Sequence, residues 1–287
     1  MAVFDRGYRG YDGPLTQPWS RFLVIARYAV RDVFASKVFI GFSVLSLIWP
    51  LALVGIIYLK YNVEALTILD LSTLDLIPID TTFFRLGFLR PQTAFAFVMI
   101  LIVGPALVSP DLRNNALPLY LSRPLDKSDY VLGKLVVLAT LTSAVTWVPG
   151  LLLFALQSYL AGGRWLLDHW RIPLALFVGS WIFILVLSLF SLAVSAWVKW
   201  KPWARIAFLG AIFVFSAIGQ IFKLIYGTWW GSLLVVDDLM VRVWDHLFGI
   251  ESSQQIPALV AWIALAIFGA FSAWLLFRRI RAFEVVS

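Results

Sequence analysis

An all-α integral membrane fold is predicted by three observations. Hydrophobic residues make up 61% of the 287 residues and charged residues 14%, against roughly 45–50% and about 25% in soluble domains. Apolar stretches recur along the chain at lengths that suit a bilayer crossing, which takes about 20 helical residues. None shows the alternation of a membrane β-barrel strand, so strands are not expected. After six such crossings no length remains for a sizeable soluble domain. The expected organisation is a flexible cytoplasmic N-terminus over 1–18 and a single transmembrane domain over 19–287.

The first twenty residues mix Gly, Pro and charges without an apolar run, which predicts no cleavable leader and a cytoplasmic start. Over 19–37, helical spacing gathers Phe22, Ile25, Ala26, Ala29, Val30 and Val33 on one arc and sets Arg21, Arg27, Arg31 and Asp32 opposite. Such a helix lies in the membrane interface, apolar side down, or packs on a soluble partner. The membrane-spanning helices are placed near 38–59, 92–108, 134–160, 172–198, 203–225 and 256–277. Pro50, Gly104-Pro105 and Pro149 predict kinks. The outer loop over 60–91 is long and semi-apolar. The segment from Tyr226 to Gln255 reads as one or two short helices at the outer leaflet.

Charge fixes the orientation. With segments assigned alternately to two sides, 16 Lys and Arg fall on the side holding both termini and 7 on the other, while the acids divide 7 and 9. The positive-inside rule puts the first side, and both termini, in the cytoplasm. The net charge of +7 is thereby explained without nucleic acid. Zero Cys excludes disulfides and thiolate metal sites.

The connection over 109–134, SPDLRNNALPLYLSRPLDKSDYVLGK, is more elaborate than a turn needs to be. Ser109-Pro110-Asp111 offers an N-cap, a Pro for the first helical position and an acid facing the dipole, predicting a short helix that starts there. Pro118 should bend or end it. Arg123-Pro124 breaks the chain, and Asp126 or Ser128 can cap the helix that runs through Tyr130, Gly133 and Lys134 into the third span. A short helix held between two spans by tight breaks can act as a lever; the plainer reading is an ordinary structured loop.

In its six spans, N-terminal interfacial helix and this loop, the chain resembles the membrane-spanning permease subunit of type-2 ABC exporters. The resemblance rests on an acid, a Leu-rich run, a Pro after Arg and a Gly-Lys opening the third span: Asp111, Leu117, Leu119, Leu121, Arg123, Pro124, Tyr130, Gly133 and Lys134. Where many members carry a Glu and a Gly-Thr pair, this chain has Arg113-Asn114-Asn115-Ala116. The resemblance implies that Asp111, Arg113, Leu117, Leu119, Tyr120, Arg123, Pro124, Tyr130 and Lys134 meet a separate ATP-binding ABC ATPase subunit. It also implies a second permease copy in a dimer, and ATP with Mg on the partner rather than here. Consistent with that, no GxxxxGK[ST] loop occurs in the chain. The expected function is export of a lipid-like, amphiphilic or unidentified substrate across a bacterial plasma membrane. An ion channel or a structural anchor of a larger complex is the alternative.

Ion-driven transport usually needs a charge mid-span. The predicted spans hold no Asp, Glu or His between their ends, and Lys223, near the outer end of the fifth, can snorkel. Enzyme chemistry has few candidates. Asp168-His169 and Asp245-His246 are possible divalent-metal ligands, but interfacial polar residues beside Trp explain them as well, and no metal, cofactor or catalytic group is expected. Ser188, Ser191 and Ser195, and Ala266, Gly269, Ala270 and Ala273, allow close helix approach within one chain or between two. Trp165, Trp170, Trp197, Trp200, Trp203, Trp229, Trp230 and Trp244 fall near span ends as an aromatic belt.

Overall fold

A computed structural model describes residues 17, 20–62, 78–116 and 126–280, and among these every regular element is helical. The order is α1 (Arg21–Phe34), α2 (Lys37–Lys60), a π-helical segment (Phe83–Leu89) continuous with α3 (Arg90–Arg113), α4 (Lys127–Ser143), α5 (Trp147–Ala161) and α6 (Gly163–Asp168). There follow α7 (Arg171–Trp197), α8 (Lys201–Tyr226), a 3-10 turn (Trp229–Leu234), α9 (Val236–Phe248) and α10 (Ala258–Arg279). Six units are long and apolar enough to cross a membrane: α2, the π segment with α3, α4 with α5, α7, α8 and α10. Where the sequence predicts one or two short helices between Tyr226 and Gln255, the structure has the 3-10 turn and α9.

The predicted arc of α1 is its covered side: Ile25 and Ala26 are buried and Phe22, Ala29, Val30 and Val33 half-buried, while Arg27, Arg31 and Asp32 are exposed. Its neighbour is α4. At Gly133 a Cβ would stand 2.9 Å from both the Phe22 carbonyl oxygen and Ile25 Cβ, so a side chain there would push α1 off. The third span of the same chain therefore covers part of a face that the sequence left to lipid or to a soluble partner. Ser36 then caps α2, its hydroxyl accepting from Phe39 N–H at 3.4 Å.

Helix α7 is the hub, packed against α3, α4, α5, α8, α9 and α10. Its serines make this possible. A Cβ on Gly104 of α3 would lie 2.1 Å from Ser191 Oγ, so α3 and α7 meet at a contact only glycine permits. The small-residue face over Ser188, Ser191 and Ser195 thus joins helices of one chain. In α10 only Gly269 of the predicted stripe is buried; Ala266 and Ala270 are exposed and Ala273 half-buried. Helices α2 and α8 are peripheral: 11% of the most apolar window of α8 is buried, against 56% for α7.

Each predicted kink frees backbone groups, and the structure supplies partners for several of them. Pro50 has no N–H for the Ser46 carbonyl four residues back, and the Gln92 Nε2 of α3 donates to that carbonyl at 3.1 Å. Between Pro105 and Ser109 a side chain of α7 bonds the α3 backbone: Ser109 N–H donates to Ser195 Oγ at 2.9 Å, and Ser195 Oγ donates to the Pro105 carbonyl at 3.0 Å. Pro149 interrupts the third span, which breaks at 144–146 between α4 and α5. Gln92→Leu is expected to cost only about 1 kcal/mol, the lower end of the 1–3 kcal/mol of a newly unpaired carbonyl, because the buried Gln92 Oε1 has no partner and departs with the substitution. A melting temperature within about 4 °C of the parent, followed by Trp fluorescence in detergent, is the expected reading.

Four sequence expectations are corrected. The second span begins at Phe83, not near 92, so the end of the presumed outer loop is helix. Ser109-Pro110-Asp111 starts no helix: α3 runs through it to Arg113 and ends at Asn114 and Asn115, the latter at φ 50°, a left-handed conformation Asn tolerates. Lys223 does not snorkel but pairs with Asp238. Trp244 is no belt residue: it is 1% exposed, its indole N–H donating to the Gly179 carbonyl at 3.0 Å.

Candidate functional site

At the end of the bundle richer in Lys and Arg, the feet of the 109–134 connection are fastened together. Asp111 sits in the last turn of α3. Tyr130 and Lys134, four residues apart and so on one face of α4, both reach it. Lys134 Nζ stands 2.9 Å from Asp111 Oδ2, and the Tyr130 hydroxyl donates to the same oxygen at 2.7 Å. Lys134 Nζ also lies 5.3 Å from the centre of the Tyr130 ring. Tyr130 is fully buried, and the Lys134 and Asp111 side chains are 8% and 16% exposed. A pair so shielded is held more firmly than a surface one, since water competes little for it.

The start of α4 is itself fixed. Asp126 is its N-cap, and the Asp129 carboxylate accepts from the Asp126 N–H at 3.2 Å, half of a capping box. Gly133, between Tyr130 and Lys134 in sequence, seats α1 beside the clamp. Arg113 lies 4.1 Å over the Trp200 ring at the α7–α8 turn, and Ser109 Oγ donates to the Val198 carbonyl at 2.7 Å. Four elements that are distant in sequence therefore converge on the two feet of one connection. Of the residues the sequence assigned to partner coupling, Asp111, Arg113, Tyr130 and Lys134 are brought together here. Leu117, Leu119, Tyr120, Arg123 and Pro124, like Pro118 and Leu121, lie outside the described residues. Of the interface arginines, Arg27 and Arg31 are exposed and Arg21 is half-buried.

A cavity of about 870 Å³ adjoins this clamp, bounded by α1, α3 and the first turns of α4 and α8. Asp111 and Lys134 form part of its wall, and Arg21, Lys201, Arg205 and Asp32 are its other charged residues. Arg205 Nη2 donates to the Ile102 carbonyl at 2.9 Å.

The opposite end carries three ion pairs that the sequence did not suggest. Arg85 Nε lies 2.8 Å from Asp245 Oδ1, with side-chain exposures of 2% and 8%. The guanidinium also sits 5.2 Å over the Trp244 ring, and Ser252 Oγ donates to Asp245 Oδ2 at 2.7 Å. Arg90 makes a bidentate contact with Asp237 at 2.5 and 2.7 Å, and Lys223 meets Asp238. All three acids belong to α9. The sequence did contain a signal: Asp238 and Asp245 are seven residues apart, two helical turns, so they share a face. Arg85, which the sequence reading left in the outer loop, lies in the first turn of the second span. Both acids on the buried face of α9 have cationic partners, which tie α9 to the second and fifth spans.

The metal candidates are dispersed into other contacts. His169 Nδ1 lies 3.0 Å from the Trp165 carbonyl oxygen and its ring stacks on Trp165 at 4.3 Å. Asp168 is exposed, Asp245 is held by Arg85, and His246 Nδ1 lies 3.5 Å from the Trp262 indole nitrogen. Among the described residues no three His, Asp or Glu gather as a metal site would require. Neither a protein-family model nor a curated protein sequence matches this chain.

Proposed function

We propose that this chain is the membrane-spanning subunit of an ATP-driven exporter, worked from the cytoplasm by a separate ATPase that grips the 109–134 connection. The supporting observation is the Asp111–Tyr130–Lys134 clamp. A connection that only joined two spans would need no buried ion pair at its feet, whereas one that transmits force needs both feet rigid and tied to the rest of the bundle. Here α1, α3, α4 and the start of α8 meet at that point, so a push on the connection would be shared among them. The sequence resemblance to type-2 ABC permeases and the predominance of Lys and Arg at this end agree with the reading. On it, ATP and Mg bind to the partner, this chain catalyses nothing, two permease copies assemble, and both termini face the cytoplasm of a bacterial-type plasma membrane.

Purification from native membranes in mild detergent tests it. An ATPase subunit is expected to be retained, and Leu117→Ala, Tyr120→Ala or Arg123→Ala to reduce its retention about tenfold or more, while the far-side variant Asp237→Asn leaves it unchanged. A chain that purifies alone and conducts ions in planar bilayers would falsify the exporter reading.

A further inference from the structure

We infer that the 870 Å³ cavity between α1, α3 and α8 is a binding site for the phosphate-bearing head and upper chain of an acidic phospholipid from the adjoining leaflet. Charge argues for an anion. The cavity wall holds four cations, Arg21, Lys134, Lys201 and Arg205, and two acids, Asp32 and Asp111. Asp111 is already engaged by Lys134 and Tyr130, which leaves a cationic balance around the remaining space. Lys201 makes no ion pair among the described residues. Arg205 uses Nη2 on the Ile102 carbonyl, but its Nε is buried with no hydrogen-bond acceptor. The half-buried Arg205 guanidinium and Lys201 in the same wall suit a phosphate oxygen, because charge-assisted N–H···O bonds to phosphate are among the strongest available.

Size and lining argue for an amphiphile over a free anion. The volume lies within the range of small-molecule sites, about 300–1,000 Å³, and far exceeds that of one phosphate. The same wall presents Ile25, Val33, Phe39, Val103 and Leu107, apolar surface that a hydrated ion cannot cover but an acyl chain can. Exposed Val24, Tyr28 and Lys201 line it too, so the cavity reaches the surface of the bundle. Its walls are α1, whose arginines suit a headgroup layer, and the adjacent ends of two spans, so the opening stands where headgroups lie. The proposal requires only that the six helices cross a bilayer, and it is independent of the exporter reading.

The chain has no Cys, so Val24→Cys carries a single environment-sensitive fluorophore at the cavity. The labelled full-length chain in neutral detergent is titrated with short-chain phosphatidylglycerol, with phosphatidylcholine of the same chain length, and with inorganic phosphate. The phosphatidylglycerol response is expected to saturate, and phosphatidylcholine to bind at least tenfold more weakly, because it has the same phosphodiester but its trimethylammonium is repelled by the cationic wall. Lys201→Gln should weaken phosphatidylglycerol about tenfold without lowering the melting temperature, because a cation at a helix N-terminus opposes the dipole. Arg205→Gln should weaken it at least as much. Equal affinity for the two lipids, or unchanged affinity in Lys201→Gln, overturns the proposal. A full response to inorganic phosphate alone also overturns it, by assigning the site to a soluble anion.

Discussion

Replacing Asp245 with alanine is expected to cost about 3–5 kcal/mol, the range for removing one partner of a buried ion pair, and so to lower the melting temperature by on the order of 10 °C. The reason is what remains. Arg85 is 2% exposed, and without the carboxylate its charge has no anion to compensate it; the Trp244 face at 5.2 Å is a weaker substitute, worth about 2 kcal/mol when desolvated. Arg85→Ala should be comparably damaging, since it strands Asp245 with only the Ser252 hydroxyl. The double change Arg85→Met with Asp245→Leu should recover most of the loss, because both desolvation penalties disappear together. The 14 Trp residues give a strong fluorescence signal for these melts. If either single variant melts with the parent, or the double melts below both singles, the pair does not hold α9 in place.

The second large effect belongs to the clamp at the other end. Asp111→Ala removes the carboxylate paired with the Lys134 ammonium, which is 8% exposed. With Asp111 itself 16% exposed, the cost should fall toward about 3 kcal/mol, the lower end for a buried pair. Tyr130→Phe removes one hydrogen bond to a carboxylate, about 1.5–3 kcal/mol, and keeps the ion pair. Under the exporter reading, Asp111→Ala should lower substrate-stimulated ATP hydrolysis about tenfold while the ATPase stays bound, whereas Tyr130→Phe should lower it less. Reconstituted proteoliposomes separate the two readouts. Retention of full stimulation in Asp111→Ala would mean that force does not pass through this clamp.

Much of the fold was legible because it depends on local pattern. The α1 arc from Phe22 to Val33 is a helical repeat, the spans are runs of apolar residues, and Pro50 and Pro149 announce their own disturbances. What was illegible depends on distant partners. Arg85 looked like a loop residue because a hydropathy reading counts any Arg against a span; the acid that neutralises it lies 160 residues away. Ser109-Pro110-Asp111 looked like a helix start because that tripeptide suits one, yet Ser195, 86 residues on, holds the serine inside α3. At the candidate site, Asp111, Tyr130 and Lys134 could each be singled out, but their joining at one carboxylate oxygen could not. The cavity beside them was invisible in sequence, since its charged residues come from four separate helices.

The π segment and α3 form one continuous helix from Phe83 to Arg113, about 46 Å long at 1.5 Å per residue. That unit carries Arg85 and Arg90 near one tip and Asp111 near the other, so a single helix is pinned by ion pairs at both ends. Under the exporter reading, axial travel of a few ångströms at the Asp111 tip would be passed along this helix toward the ion pairs that seat α9. Where Pro105 and Pro110 interrupt that helix, the Ser195 hydroxyl bonds both the Ser109 N–H and the Pro105 carbonyl, so the two ends stay joined through a neighbouring helix.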